Sequence, residues 1–171
     1  MHYTHSYFSN EECEDLINSV TRFHESRVGK NNQVIKEIRV SKHFNFTPGP
    51  KLYSKIKKYL ATLGLNVCKP TQECSIIKYK EGSHFAPHKD GKIYNSGVHK
   101  VGTVIVQLSD KDDYENGNLI VGSDPAPRDR GTIIYFDSKT IHEVTKLNKG
   151  IRYSLAYFVL SDQIKGNAPL I

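Results

Sequence analysis

Lys100-Val-Gly-Thr-Val-Ile-Val-Gln-Leu108 is the stretch on which the fold is read. Its side chains alternate: Thr103, Ile105 and Gln107 point one way, Val104, Val106 and Leu108 the other, as the two-residue period of a strand requires. Gln107 is the polar member of its face beside Ile105, and a polar group on such a face points to a polar site. Similar short β-type runs surround it at 74–79, 118–121, 131–136, 142–145 and 152–160. Asn116-Gly117 and Asn148-Lys149-Gly150 read as turns between them. Upstream the period is helical. Ser9 is a cap with Glu12 at the reciprocal position, and Leu16, Ile17, Val20 and Phe23 follow on one face. Residues 25–33 read as a loop and 34–46 as a loosely alternating strand. Pro48-Gly49-Pro50 opens a second helix that carries Leu52, Ile56, Tyr59, Leu60 and Leu63 on one face. Two amphipathic helices followed by many short strands predict a mainly β fold with flanking α: a sandwich or jelly roll with the N-terminal helices packed on one sheet. The expected organisation is a single domain, 1–171, with a helical part over about 1–65 and a jelly-roll core over about 66–160.

The chain has 171 residues and a formal net charge of +6. The densest basic run, 51–58, interleaves with Leu52 and Ile56 and reads as a solvated helix face rather than a nucleic-acid patch. Three cysteines, Cys13, Cys68 and Cys74, form no metal-like pair and read as reduced, mostly buried thiols. No apolar run approaches membrane-spanning length and no secretory signal is visible, which predicts a soluble, cytoplasmic protein.

His88-x-Asp90 and, 52 residues on, His142 supply two imidazoles and one carboxylate. That set suits a non-haem Fe(II) with open coordination positions. On a strand or strand end, residues two apart share a side, so one strand offers two ligands and a distant strand the third. Arg152 and Ser154 share a strand face and can present a guanidinium and a hydroxyl to one carboxylate. Plainer readings stand beside these. Gly82, Pro87 and Gly91 would suit a surface loop around His88; Arg152 would suit a surface ion pair; Ser154 would suit an ordinary strand position. The whole ordered set favours an Fe(II)- and 2-oxoglutarate-dependent oxygenase.

These residues carry a family resemblance. Tyr79-x8-His88-x-Asp90, Leu108-Ser-Asp-Lys-Asp-Asp-Tyr114, Asn116-Gly-Asn-Leu119, Ile141-His142-Glu-Val144 and Gly150-x-Arg152-Tyr-Ser154 resemble the Fe(II)/2-oxoglutarate dioxygenases of the prolyl hydroxylase branch. Tyr7-Phe-Ser-Asn-Glu-Glu-Cys13 is similar to that branch's opening turn and helix. The resemblance implies a double-stranded β-helix in which His88, Asp90 and His142 bind iron. It implies that Arg152 binds the 5-carboxylate of 2-oxoglutarate, with Tyr79, Ser154 and Gln107 assisting; a packed tyrosine and an exposed strand glutamine are the alternatives for Tyr79 and Gln107. The implied cofactors are Fe(II), 2-oxoglutarate and O2, with room for ascorbate. The implied reaction hydroxylates a prolyl residue in a protein or peptide and releases succinate and CO2. Asn116-Gly117 stands where relatives have Gly-Gly, and asparagine tolerates the backbone such a turn needs.

Two other classes compete. One is oxidation of a free amino acid, another small molecule or nucleic acid. Alkylated-base demethylases carry a second arginine six positions after the first, where this chain has Phe158, so a nucleic-acid partner is disfavoured. The other is a non-catalytic jelly-roll binding module, which would be expected to have lost a ligand. Residues 91–99 follow the iron ligands and suit a lid, with Tyr94 and His99 as substrate contacts; residues 28–33 suit a second flap. Oligomeric state is left open.

Overall fold

In a computed structural model, residues 1–28, 33–71, 74–91 and 96–164 are described. The chain runs β1 (His2–Thr4), α1 (Asn10–Asn18), β2 (His24–Glu25), β3 (Arg39–Val40), β4 (Lys42–Phe46), α2 (Pro50–Thr62), β5 (Cys74–Lys80), β6 (His84–His88) and β7 (Lys100–Gln107). It continues through β8 (Tyr114–Asn116), β9 (Leu119–Val121), β10 (Asp124–Pro125), β11 (Ile133–Asp137), β12 (His142–Val144) and β13 (Leu147–Leu160).

Both helices begin where their chemistry says they should. Ser9 Oγ accepts from the Glu12 amide at 3.1 Å, and the Glu12 carboxylate accepts from the Ser9 amide at 2.9 Å, which satisfies two amides that the first turn leaves without partners. α1 stops at Asn18, so Val20 and Phe23 lie beyond it, yet both still pack against the same core. α2 starts with Pro50 in its first turn and buries Ile56, Tyr59 and Leu60. Lys55 departs from the solvated-lysine reading. Its ammonium pairs with Glu12 and lies 4.6 Å from the Phe8 ring centroid, so it ties α2 to the start of α1.

The strands form two antiparallel sheets. The larger runs β1-β11-β7-β13-β5-β4-β2, with β8 paired to β13 off that path; the smaller runs β10-β9-β12-β6-β3. From β5 onward the chain alternates between them: β5 in the large sheet, β6 in the small, β7 in the large, β9 and β10 in the small, β11 in the large, β12 in the small, β13 in the large. That alternation winds the chain into a double-stranded β-helix. Two cores follow. On the outer face of the large sheet, Val104, Val106, Tyr157 and Ile76 pack with Phe8, Cys13, Ile56 and Leu60 of the helical layer. Between the sheets, Ile105, Ile134, Phe136, Ala156 and Tyr79 face Leu119, Val121 and Val144. β7 is covered on both faces, which is why its apolar run is nearly continuous and only Thr103 and Gln107 break it.

Three expectations change. The first 65 residues are not only helical: β1, β2 and β4 extend the large sheet and β3 edges the small one. The span 34–46 is not one strand: it opens with a turn in which the Ile38 and Arg39 amides donate to Ile35 O, and the strand part that follows breaks at Ser41 into β3 of the small sheet and β4 of the large one. Asn148-Lys149-Gly150 is not a turn between strands but part of β13, paired with β8 through a register shift between Leu147 and Lys149. Gly150 has φ +84° and stands where β13 passes from its pairing with β8 to its pairing with β5, so the left-handed backbone that marked a turn serves a change of strand partner instead. Asn116 and Gly117, with φ of 59° and 67°, both take the left-handed backbone where β8 gives way to β9. Cys13 and Cys74 are buried and Cys68 exposed, all free; burial pushes the Cys13 thiol up to about 11. Among the described residues no helix is long and apolar enough to cross a membrane.

The need for glycine at position 150 is testable. A Cβ at residue 150 would lie 2.1 Å from the Asp113 carbonyl oxygen, and the positive φ adds strain. Gly150→Ala should therefore destabilise the fold by about 3 kcal/mol or more, read as a lowered midpoint in urea unfolding.

Candidate active site

β6 ends on His88 and β12 begins on His142, and the two are register partners across the small sheet. Each imidazole is aimed in the same way. His88 Nδ1 lies 2.8 Å from Ala86 O and His142 Nδ1 3.1 Å from Thr140 O. A carbonyl only accepts, so each Nδ1 carries a proton, and Nε2 is the ring nitrogen left for a metal to take. Both Nε2 atoms face the Asp90 carboxylate: His88 at 3.7 Å from Oδ1, His142 at 3.4 Å from Oδ2. One ligand atom from each of the three residues lies within 4.8 Å of the others. Aromatic rings hold the imidazoles. Phe85 stacks on His88 at 3.6 Å and Phe136 lies 4.6 Å from His142. Burial and the neighbouring His142 push His88 down to about 4, so its ring is neutral near pH 7, the state a metal ligand needs.

Asp90 is not on the strand. It lies two residues past the end of β6, and its position is fixed from β7 and the segment after β11. Its amide donates to Ser138 O at 3.0 Å, and Thr103 Oγ1 donates to Asp90 Oδ2 at 2.7 Å. Ser138 is itself tied to β7, its amide to Val101 O and its hydroxyl to Lys100 O.

The second half of the site comes from the large sheet. β13 pairs with β5 and β7, bringing Arg152 opposite Tyr79 and Ser154 opposite both Ile77 and Gln107. Arg152 and Gln107 are each only 1% exposed, which excludes the surface ion pair and the exposed strand glutamine. Arg152 Nη2 donates to Gln107 Oε1 at 2.9 Å, and Gln107 Nε2 donates to Pro127 O at 2.9 Å. The guanidinium lies 5.3 Å from the centroid of the Tyr79 ring, which is packed as a strand tyrosine. Among the described residues neither Nε nor Nη1 of Arg152 has a hydrogen-bond partner. A guanidinium does not discard its proton in a protein, so these donors are matched to an anion, and their fork geometry suits a carboxylate.

Two imidazoles, a carboxylate and an unpaired buried guanidinium fit Fe(II) and a 2-oxo dicarboxylate in donor type. Other expectations do not gather here. Tyr94 lies outside the described residues. His99 is exposed, and its main chain is bound to Ser161 through His99 N to Ser161 Oγ at 3.1 Å and Ser161 N to His99 O at 2.8 Å. It therefore behaves as the root of β7, not the tip of a lid. Of the second flap, Val28 and Gln33 form a bridge, and 29–32 lie outside the described residues. Sequence reasoning passed over Thr103, although it shares an alternating face with Gln107. It also passed over Arg39, whose guanidinium lies 4.4 Å from the Phe85 ring centroid and whose Nε donates to Ser41 Oγ at 2.7 Å.

The family model of the 2OG-Fe(II) oxygenase superfamily matches residues 74–160, just over half of the chain. The chain belongs to this superfamily. Its cofactors are accordingly Fe(II), 2-oxoglutarate and O2, and it is a dioxygenase. Among curated proteins none matches it significantly in sequence. Solved structures share its fold. The viral collagen prolyl hydroxylase of Paramecium bursaria Chlorella virus-1, in complex with 2-oxoglutarate, is 20% identical, with a TM-score of 0.69 over 93% of this chain and 94% of that one. A Trichoplax adhaerens prolyl hydroxylase, in complex with a peptide fragment of the hypoxia-inducible factor oxygen degradation domain, is 16% identical, with a TM-score of 0.63 over 92% and 81%. OsALKBH1 is 12% identical, with a TM-score of 0.64 over 92% and 97%.

Burying unmatched donors costs about 1–3 kcal/mol. Arg152→Met keeps an unbranched chain without the charge but takes the donor from Gln107 Oε1, so it should raise the stability of the cofactor-free protein by a part of that amount, about 1 kcal/mol. Equilibrium unfolding in urea without metal or 2-oxoglutarate measures it.

Proposed function

We propose that the chain is an Fe(II)- and 2-oxoglutarate-dependent dioxygenase that hydroxylates a prolyl residue in a protein or peptide. The observation that carries the oxygenase part is the pair of half-sites: a His88-Asp90-His142 cluster, and on the large sheet a buried Arg152 whose Nε and Nη1 have no hydrogen-bond partner among the described residues. In this reading His88 Nε2, His142 Nε2 and one Asp90 oxygen hold the iron. Arg152 receives the far carboxylate of 2-oxoglutarate, Gln107 steadies the guanidinium, and Tyr79 and Ser154 line its surroundings. Bound iron supplies the O2 activation that couples 2-oxoglutarate decarboxylation to substrate oxidation. The protein contributes orientation and a site with little water: Phe85 and Phe136 cover the imidazoles, and the Nδ1 contacts stop the rings from turning.

The substrate part rests on other support. Two of the structures that share the fold are prolyl hydroxylases, one with a peptide bound. Phe158 follows Ala156 on the inner face of β13 and is the register partner of Thr103. The Lys100 ammonium lies 3.2 Å from the centroid of that ring, so the ring by itself favours neither an apolar nor a phosphate-bearing guest. A proline-rich peptide is already stiff and loses little entropy on binding. OsALKBH1 matches the fold about as well, so nucleic acid stays in the test as the alternative.

Succinate release with Fe(II) and 2-oxoglutarate, across prolyl peptides, free proline and alkylated oligonucleotides, tests the reading. Release should depend on the prolyl peptides. Stimulation by oligonucleotide or free proline alone would replace the substrate while leaving the oxygenase intact. His142→Ala should lose most iron and all turnover, and full retention of both would overturn the site. Arg152→Leu should cost about 3–5 kcal/mol in 2-oxoglutarate binding, the usual result of removing one partner of a buried ion pair, and shift iron affinity far less. An unchanged KM for 2-oxoglutarate would assign that carboxylate to another cation.

A further inference from the structure

We propose that Thr103 is a positioning residue that holds Asp90 to a single ligating oxygen, and that it thereby sets the metal affinity of the site. The inference rests on the reading that His88, Asp90 and His142 hold the metal. Asp90 is the one member of the triad that no strand ladder fixes, since β6 ends at His88. Its main chain is tied to Ser138, but its carboxylate is free to rotate unless something grips an oxygen. Thr103 does so: its hydroxyl donates at 2.7 Å to Oδ2, the oxygen 3.4 Å from His142 Nε2, while Oδ1, 3.7 Å from His88 Nε2, carries no such donor among the described residues.

The grip is well founded. Thr103 is 1% exposed and sits on β7, where β11 pairs on one side and β13 on the other. Its Cα therefore has no slack, and a β-branched side chain has few χ1 choices. A hydroxyl donor on Oδ2 occupies part of that oxygen's lone-pair capacity and restrains the carboxylate plane, which makes Oδ1 the better ligand. The count of coordination positions shows why this matters. Three protein ligands leave three positions, two for a chelating 2-oxo acid and one for O2. An aspartate that closed on the metal with both oxygens would consume one of them. Outer partners that orient metal ligands typically govern metal affinity by 10–100-fold.

The test is Mn(II) binding, followed by isothermal titration calorimetry without 2-oxoglutarate or substrate. The wild type should bind one Mn(II). Thr103→Val keeps the shape and loses the donor, and should bind about 10–100-fold more weakly. Thr103→Ser keeps the donor and should stay close to wild type. Thr103→Ala and Thr103→Ser lack the same methyl, so their difference isolates the hydroxyl even if the valine variant does not fold. In the Co(II)-loaded proteins the visible spectrum should change in the valine and alanine variants and not in serine, because coordination at Asp90 changes. Wild-type affinity in both Thr103→Val and Thr103→Ala would overturn the inference while leaving the triad in place. A wild type that binds no Mn(II), or a His142→Ala variant that binds it fully, would overturn the triad itself and the inference with it.

Discussion

β13 is hydrogen-bonded along both edges, to β5 on one side and β7 on the other, and the candidate site depends on that double pairing. It sets Arg152 against Tyr79 and Ser154 against Gln107, so four side chains far apart in sequence share one inward patch. The same registers send Leu155, Tyr157 and Val159 to the opposite face, where the helical layer covers them. One strand thus joins the apolar core beneath the helices to the polar patch between the sheets. A slip of one residue would exchange the two faces and put a guanidinium into the outer core. The burial that gives the fold its stability therefore also fixes the site's register.

Within that frame the site combines opposed electrostatic environments. The small sheet holds two imidazoles against aromatic rings, and the large sheet holds a guanidinium cut off from solvent. The first arrangement costs little at His88, because burial holds that ring neutral and an uncharged ring tolerates burial. The second is expensive, because two buried donors are left unmatched within the described protein. A fold that keeps such a group gives up stability for a ready-made anion site, which is how functional residues commonly depart from the packing rules.

Much of this was legible in the sequence, and the reasons are local. The alternation of residues 103–108 placed Gln107 on the inward face without any tertiary information. The capping pair Ser9 and Glu12 and the Pro-Gly-Pro break fixed both helix starts. The triad and Arg152 were legible as an ordered set. The failures are equally physical. β1, β2 and β10 have two or three residues each, too few to display a period. Gly150 announced a left-handed backbone, which a change of strand partner uses as well as a turn does. Asp90 was expected on or at a strand, but what fixes it is Thr103, thirteen residues downstream, and pairings of that kind leave no spacing signal. The substrate is the least legible part, since solved structures at 12–20% identity share the winding of the chain and not its guest.

The two histidines have a consequence for how such a chain can change over time. Each imidazole is aimed by the carbonyl two residues before it, Ala86 for His88 and Thr140 for His142. The aim is thus set within a three-residue stretch of the ligand's own strand end. Distant loops can lengthen, shorten or change character without re-aiming either ring. Asp90, by contrast, takes its orientation from other segments and drifts with them. The iron site therefore has two self-contained ligands and one dependent ligand, and the tolerance of this fold to altered surfaces is bounded chiefly by what surrounds the aspartate.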